Sequence, residues 1–221
     1  MDPILTPAIC YFVARGIQSW WSSRNNSTSS SSSTTTSTPT IERQKHVVFV
    51  GRTNSGKSSV ANALFNTDFA VGPLHGVTTE VHYRNIGKYG WYAVDTPGIL
   101  DMHDYSCTAL NAVAESKLAV FVSTGQLLNI EHEFLRKTWM KCHGHELIVF
   151  VNKLDVRKSC YTSCEMENEN NSIRNQVRNV SEHIPVIFGS ASPMMRNGQR
   201  GQPEIQELRE KINEIIAPQI S

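Results

Sequence analysis

Within eight consecutive residues, Gly51-Arg52-Thr53-Asn54-Ser55-Gly56-Lys57-Ser58, the chain brings together two glycines, a lysine and a hydroxyl in the spacing of a P-loop. Gly51 and Gly56 let the backbone bend so that successive amides converge on one anion, assisted by the positive end of a following helix. Lys57 is expected to reach the β- and γ-phosphates of a nucleotide as a point charge, and the Ser58 hydroxyl to ligate Mg²⁺. Asn54, Ser55 and Ser59 lie on the same loop and helix start and complete the phosphate-side set. Context separates this pattern from a glycine-containing surface turn: the β-branched and aromatic run His46 to Val50 precedes it and the helix-forming stretch Ser59 to Phe65 follows.

A second group of residues speaks to the base. Asn152-Lys153-Leu154-Asp155 closes the apolar run Leu147 to Val151, about a hundred residues past the P-loop. The Asp155 carboxylate can accept from both the ring N–H and the exocyclic amine of guanine, in a fork of two charge-assisted bonds. Adenine offers neither donor on that edge, so a buried Asp155 facing it would be left unpaired, and ATP should be rejected. Asn152 is expected to brace the loop and touch the purine, with the aliphatic stem of Lys153 along the ring. An Asn-Lys-x-Asp turn standing alone can be helix capping; its place after a buried strand argues for the base.

Between these motifs, Trp91 to Val94 leads into Asp95-Thr96-Pro97-Gly98. Asp95 is expected to hold Mg²⁺ through water, and the Gly98 amide to meet the γ-phosphate where a side chain would collide. Upstream, the loop Gly72 to Glu80 offers hydroxyls for the metal shell, Thr78 the favoured ligand and Thr79 its substitute. After the apolar run Pro185 to Gly189 comes Ser190-Ala191-Ser192, whose Ala191 amide is expected to donate to the guanine carbonyl; this is the least specific of the motifs.

Positioning these residues requires an alternation of strands and helices, hence an α/β fold with a mostly parallel sheet. Strands are predicted near 46–50, 81–86, 91–95, 117–123, 146–151 and 185–189, and helices near 57–66, 105–115, 130–142, 170–182 and 203–217. The last helix is marked by Pro203 at its start and a stripe of Ile205, Leu208, Ile212, Ile215 and Ile216. The short Gly87-Lys88-Tyr89-Gly90 connection reads as a hairpin, which makes one edge strand antiparallel. Nucleotide would lie at the carboxyl ends of the strands. The segment 156–172, rich in Asn, Glu and Ser, reads as a recognition loop or solvated filler, with filler favoured.

In order, GRTNSGKS, GVTTE, DTPG, NKLD and SAS resemble the five signatures of the translation-factor-related class of GTPases, and within it the Era-type branch, over roughly four-fifths of the chain. The resemblance implies a three-layer G domain with helices on both faces of a six-stranded sheet, GTP and GDP as ligands with Mg²⁺, and slow GTP hydrolysis in a nucleotide-dependent switch. One departure is Ser192, where that class usually has a lysine against the purine. Another feature is Ile99, which stands where a Ras-like enzyme carries the water-orienting glutamine. A hydrophobic residue there is usual in the Era-type branch, some of whose members recruit K⁺ through a P-loop asparagine. Asn54 occupies that position and serves either K⁺ or the shape of the loop. The resemblance therefore assigns Lys57, Thr78, Gly98 and Asn54 to hydrolysis.

The 221 residues carry a net charge of +1 with interspersed signs, a balance that announces no nucleic-acid partner or anionic surface. Five cysteines without zinc spacing fit a reducing compartment, with the cytoplasm expected and an organelle or membrane surface the alternatives. Cys160 and Cys164 read as ordinary loop cysteines. Residues 45–217 form the predicted G domain and 22–44 a Ser/Thr-rich disordered linker, since almost no apolar side chain is present to offset its ordering entropy. Residues 1–21 are apolar but interrupted by Pro7, Arg15, Gly16 and Gln18. Weak membrane association through Trp20 and Trp21, a targeting peptide and an unstructured tail compete for that segment. The partner beyond guanine nucleotide is expected to be an effector protein or ribosomal RNA. A nucleotide-holding interaction protein that hydrolyses GTP negligibly is the alternative to an active switch.

Overall fold

The computed structural model describes residues 43–72, 78, 80–87, 90–99, 106–142, 146–195 and 198–216. The apolar runs become β1 (Gln44–Gly51), β3 (Tyr92–Asp95), β4 (Ser116–Ser123), β5 (Leu147–Val151) and β6 (Val186–Phe188), with β2 (His82–Asn85) beside them. Between and after them come α1 (Lys57–Phe65), α2 (Ser106–Glu115), α3 (Asn129–Lys141), α4 (Leu154–Cys160), α5 (Ser163–Arg178) and α6 (Gln206–Ile216). The sheet order is β2-β3-β1-β4-β5-β6, parallel throughout except for β2, which pairs antiparallel with β3 at the edge. The expected fold class and edge strand are both present.

Because side chains alternate across a strand, each central strand feeds two cores. Val48, Val50, Phe121, Val149 and Val151 pack with Ala109, Val113, Phe134, Leu135, Ile173 and Val177 of α2, α3 and α5. Val47, Phe49, Leu118, Val120, Ile148 and Phe150 face the other way, onto Val60, Ala61 and Leu64 of α1 and Leu208 and Ile212 of α6. Two helical layers thus clamp the sheet, and the strands buried on both faces read as continuous Val/Ile/Phe runs.

Three expectations need correction. The 156–172 segment is helical: α4 occupies its start, and α5 begins at Ser163, seven residues before the predicted helix, and ends at Arg178 rather than 182. Thr162 is the reason, because its hydroxyl accepts from the Glu165 amide at 3.4 Å while the Glu165 carboxylate accepts from the Thr162 amide at 2.8 Å. Cys160 and Cys164 are accordingly helical and exposed, as free thiols. Finally, α6 starts at Gln206 and not at Pro203, because Glu204 first forms a bridge with Ser190 through two backbone bonds of 3.0 and 2.8 Å. Thr79, Lys88, Tyr89 and residues 1–42 lie outside the described residues. Among those described, no helix is long and apolar enough to cross a membrane.

Candidate functional site

The motifs converge at the carboxyl ends of β1, β3, β5 and β6, where the chain leaves β1 for neighbours on opposite sides. At the end of β1 the loop turns sharply: Asn54 has φ 62° and Gly56 φ 91°, and Gly56 caps α1. Glycine at 56 is required twice over, by that backbone angle and because a Cβ would strike the Asn152 side-chain amide. Lys57 is buried, and its Nζ donates to the Arg52 carbonyl at 3.1 Å, which holds the ammonium inside the loop. The Ser55 hydroxyl is buried with no hydrogen-bond partner. Ser59 follows in the first turn of α1, half-buried.

The three expected metal ligands come together. Ser58 Oγ donates to Asp95 Oδ2 at 2.6 Å, and Thr78 Oγ1 to the same oxygen at 3.2 Å. Asp95 Oδ1 is buried and has no partner. Burial pushes the Asp95 carboxyl above its usual range, overriding the opposing pull of Ser58, Lys57, Thr78 and His82. A buried carboxylate with one orphaned oxygen and two hydroxyls at the other is a donor set that suits a hard divalent cation such as Mg²⁺.

Beyond Asp95, the Asp-Thr-Pro-Gly turn is locked to the P-loop. Thr53 N donates to the Ile99 carbonyl at 3.1 Å and Ile99 N to the Gly51 carbonyl at 3.2 Å, while the Ile99 side chain is buried in the core. Ile99 is thereby a structural clasp. At Gly98 the structure supplies a reason for glycine other than the expected close approach to phosphate: a Cβ there would run into the backbone of Thr53. Thr53 is therefore a site residue that motif reading passed over, with only its place inside the P-loop as a signal.

The base-side motifs also meet. Asn152 Nδ2 donates to the Ser55 carbonyl at 2.9 Å, and its Oδ1 accepts from the Ala191 amide at 3.0 Å. The Ala191 amide, expected to meet a guanine carbonyl, is thus engaged by Asn152. Lys153 Nζ crosses to the Asn54 carbonyl at 2.9 Å, so that its stem bridges the two loops; burial and the nearby Arg52 lower its basicity, partly offset by Asp155. Asp155 is half-buried. Its Oδ1 accepts from Ser190 Oγ at 2.6 Å and its Oδ2 from the Met194 amide at 3.0 Å. Burial would raise the Asp155 carboxyl, but these bonds outweigh it and hold it below the ordinary carboxylate range.

Arg157, one turn into α4, is a second residue the motifs do not mark. It is buried, pairs with Glu169 at 2.9 Å, donates to Met166 Sδ and Asn170, and lies 5.3 Å from the centre of the Phe188 ring. This network ties the helix that carries Asp155 to both α5 and β6.

Comparison with known proteins agrees with this arrangement. Residues 46–153 match the family model described as 50S ribosome-binding GTPase. GTPase Der of Azoarcus sp. (strain BH72) is 30% identical over 118 residues, covering 49% of this chain and 27% of that protein. GTPase Era of Acidimicrobium ferrooxidans is 42% identical over 69 residues, 30% of this chain and 24% of its own. The chain thus spans about a quarter of the length of these relatives. Among solved structures, a dimerization-deficient mutant of Toc33 from Arabidopsis thaliana superposes with a TM-score of 0.59 at 14% identity, over 81% of this chain and 86% of that one, a likeness of fold.

Proposed function

We propose that this protein, whose residues 46–153 match a GTPase family model and resemble the GTPases Der and Era, binds GTP and hydrolyses it slowly to GDP and phosphate, acting as a nucleotide-dependent switch of the Era type. The observation that carries the reading is the convergence of Ser58 and Thr78 on Asp95 beside the P-loop, with Asp155 held ionised after β5 at the same edge of the sheet. Ser58, Thr78 and Asp95 would hold Mg²⁺, which supplies charge neutralisation across the transferring phosphoryl group.

The chain's own residues divide the remaining work. Backbone amides of the P-loop and the start of α1 bind phosphate oxygens, and Lys57 leaves the Arg52 carbonyl to meet them. Asp155 reads the guanine edge, and Asn152 and Lys153 hold the base loop against the P-loop. Thr78 and the Gly98 turn lie close enough to Asp95 and Thr53 to sense a γ-phosphate, so its loss on hydrolysis releases them. Ile99 is turned into the core and cannot orient the attacking water. Asn54, exposed at the P-loop, is proposed as a K⁺ ligand supplying charge compensation in place of an arginine finger.

Isothermal titration with GDP and ADP tests the binding, with GDP expected to bind at least a hundredfold more tightly; equal affinities sink the reading. Multiple-turnover phosphate release tests the switch: a rate at background despite tight GTP binding selects the interaction-protein alternative. K⁺ use fails if Na⁺ supports the same rate or if Asn54→Ala leaves it unchanged. The family description makes ribosomal particles the effector to assay first, by co-sedimentation with a non-hydrolysable GTP analogue. Vesicle flotation of the whole chain tests the competing membrane role of residues 1–21. The cysteine content of the sequence, five residues without zinc spacing, makes a reducing cytoplasmic setting the one proposed.

A further inference from the structure

The base pocket has an element that no motif covers. Between Ser190-Ala191-Ser192 and α6 the segments 193–195 and 199–201 pair antiparallel, through bonds from Gly201 N to the Pro193 carbonyl at 2.8 Å and from Met195 N to the Gln199 carbonyl at 2.8 Å. The foot of this pairing is fastened by the two Ser190–Glu204 backbone bonds. Met195 packs over Gly201, whereas Met194 sends its amide to Asp155 Oδ2 and leaves its side chain 60% exposed to solvent.

Two consequences follow from this placement. Ser190 and Met194 bond different oxygens of the Asp155 carboxylate, so the two bonds together fix the plane in which it faces a ligand. The exposed thioether chain is rooted beside that plane, on a surface where Ser192 has no aliphatic stem to offer. A flexible, polarizable thioether is well suited to cover an aromatic face. We propose that Met194 is a specificity-determining residue of the base site: its amide aims the Asp155 carboxylate and its side chain packs on the purine. This inference rests on the guanine reading and assigns a further residue to that same site.

Two variants separate the roles. Met194→Pro deletes the amide hydrogen without touching the ladder of the paired segments, because the bonds across it come from Met195, Gly198 and Gly201. Met194→Ala keeps the amide and removes the thioether. Titration with GDP and inosine diphosphate, which lacks the exocyclic amine, gives a selectivity ratio for each protein. The proline variant is expected to lower GDP affinity about tenfold or more and to shrink the ratio, because a freed carboxylate no longer presents both oxygens. The alanine variant is expected to weaken both ligands by the same factor, about two- to tenfold, with the ratio intact. An unchanged ratio in the proline variant, or unchanged affinities in the alanine variant, overturns the assignment. Should the proline variant fail to fold, amide hydrogen exchange of the unaltered chain decides: protection at Met194 that rises on adding GDP supports the role, and exchange that stays the same overturns it. Wild-type protein that binds ADP as tightly as GDP would instead sink the guanine reading itself.

Discussion

Asp95 ends β3 and Asp155 follows β5, on either side of β1 and β4, and the two carboxylates are held in opposite ways. Asp95 is buried, accepts from two hydroxyls at one oxygen, and its carboxyl is displaced upward despite the pull of Lys57 and His82. Asp155 is half-buried, held by a hydroxyl and a backbone amide, and displaced downward. The first has one buried oxygen without a hydrogen-bond partner, which a bound cation would satisfy. The second is satisfied in advance and needs only to be aimed. The contrast fits the proposed division into a metal-binding end and a base-reading end, and it rests on the environment of each carboxylate.

The sharpest way to break this contrast is Asp155→Asn. It removes the acceptor for two charged bonds, so GDP affinity should fall roughly a hundred- to ten-thousandfold while xanthosine diphosphate gains; calorimetry with both ligands checks this. Arg157→Met disturbs the support behind Asp155 and strands Glu169 in a buried position. Urea unfolding should show a loss of about 3 kcal/mol or more. At the other end, Asp95→Asn should raise the melting temperature of the nucleotide-free protein while abolishing the effect of Mg²⁺ on GTP affinity. The sign follows from the upward displacement: above the carboxyl's folded value the charge is buried at a cost, and an amide removes that cost. A drop in melting temperature would show that Asp95 is already satisfied.

The smallest effect expected is one of pH. On going from pH 7.5 to 5, the Mg²⁺ contribution to GTP affinity should weaken as the Asp95 carboxyl, raised above its usual 3.8, begins to take up protons. Selection of GDP over ADP should not change over the same range, because Asp155 titrates below 3.8 and its contribution is lost only as pH falls through that lower value. Parallel titrations at both pH values with and without Mg²⁺ test the difference.

Much of this was legible in the sequence, for a physical reason. The P-loop, Asp95, Asn152 and Asp155 each follow an apolar run that can only be a buried strand, so their place at the sheet's carboxyl edge was fixed by periodicity and topology together. What escaped reading lies where the signal is a single side chain. Thr162-Ser163-Cys164-Glu165 is a capping box, and it announces α5 in a stretch whose polarity otherwise resembles filler. Arg157 and Met194 had no such cue: one is an arginine whose partners lie on α5 and β6, and the other acts through its backbone amide. At Gly98 spacing did not reveal a second constraint, the clash of a Cβ with Thr53 across 45 residues of chain.

The bonds from Asn152 to Ser55 and from Lys153 to Asn54 lace the loop proposed to read the base to the loop proposed to grip phosphate. Such lacing makes the crevice a ruler. With the span fixed, a molecule must carry its purine and its phosphates at the separation one ribose sets, and guanine and pyrophosphate added as separate pieces should bind far more weakly than when joined.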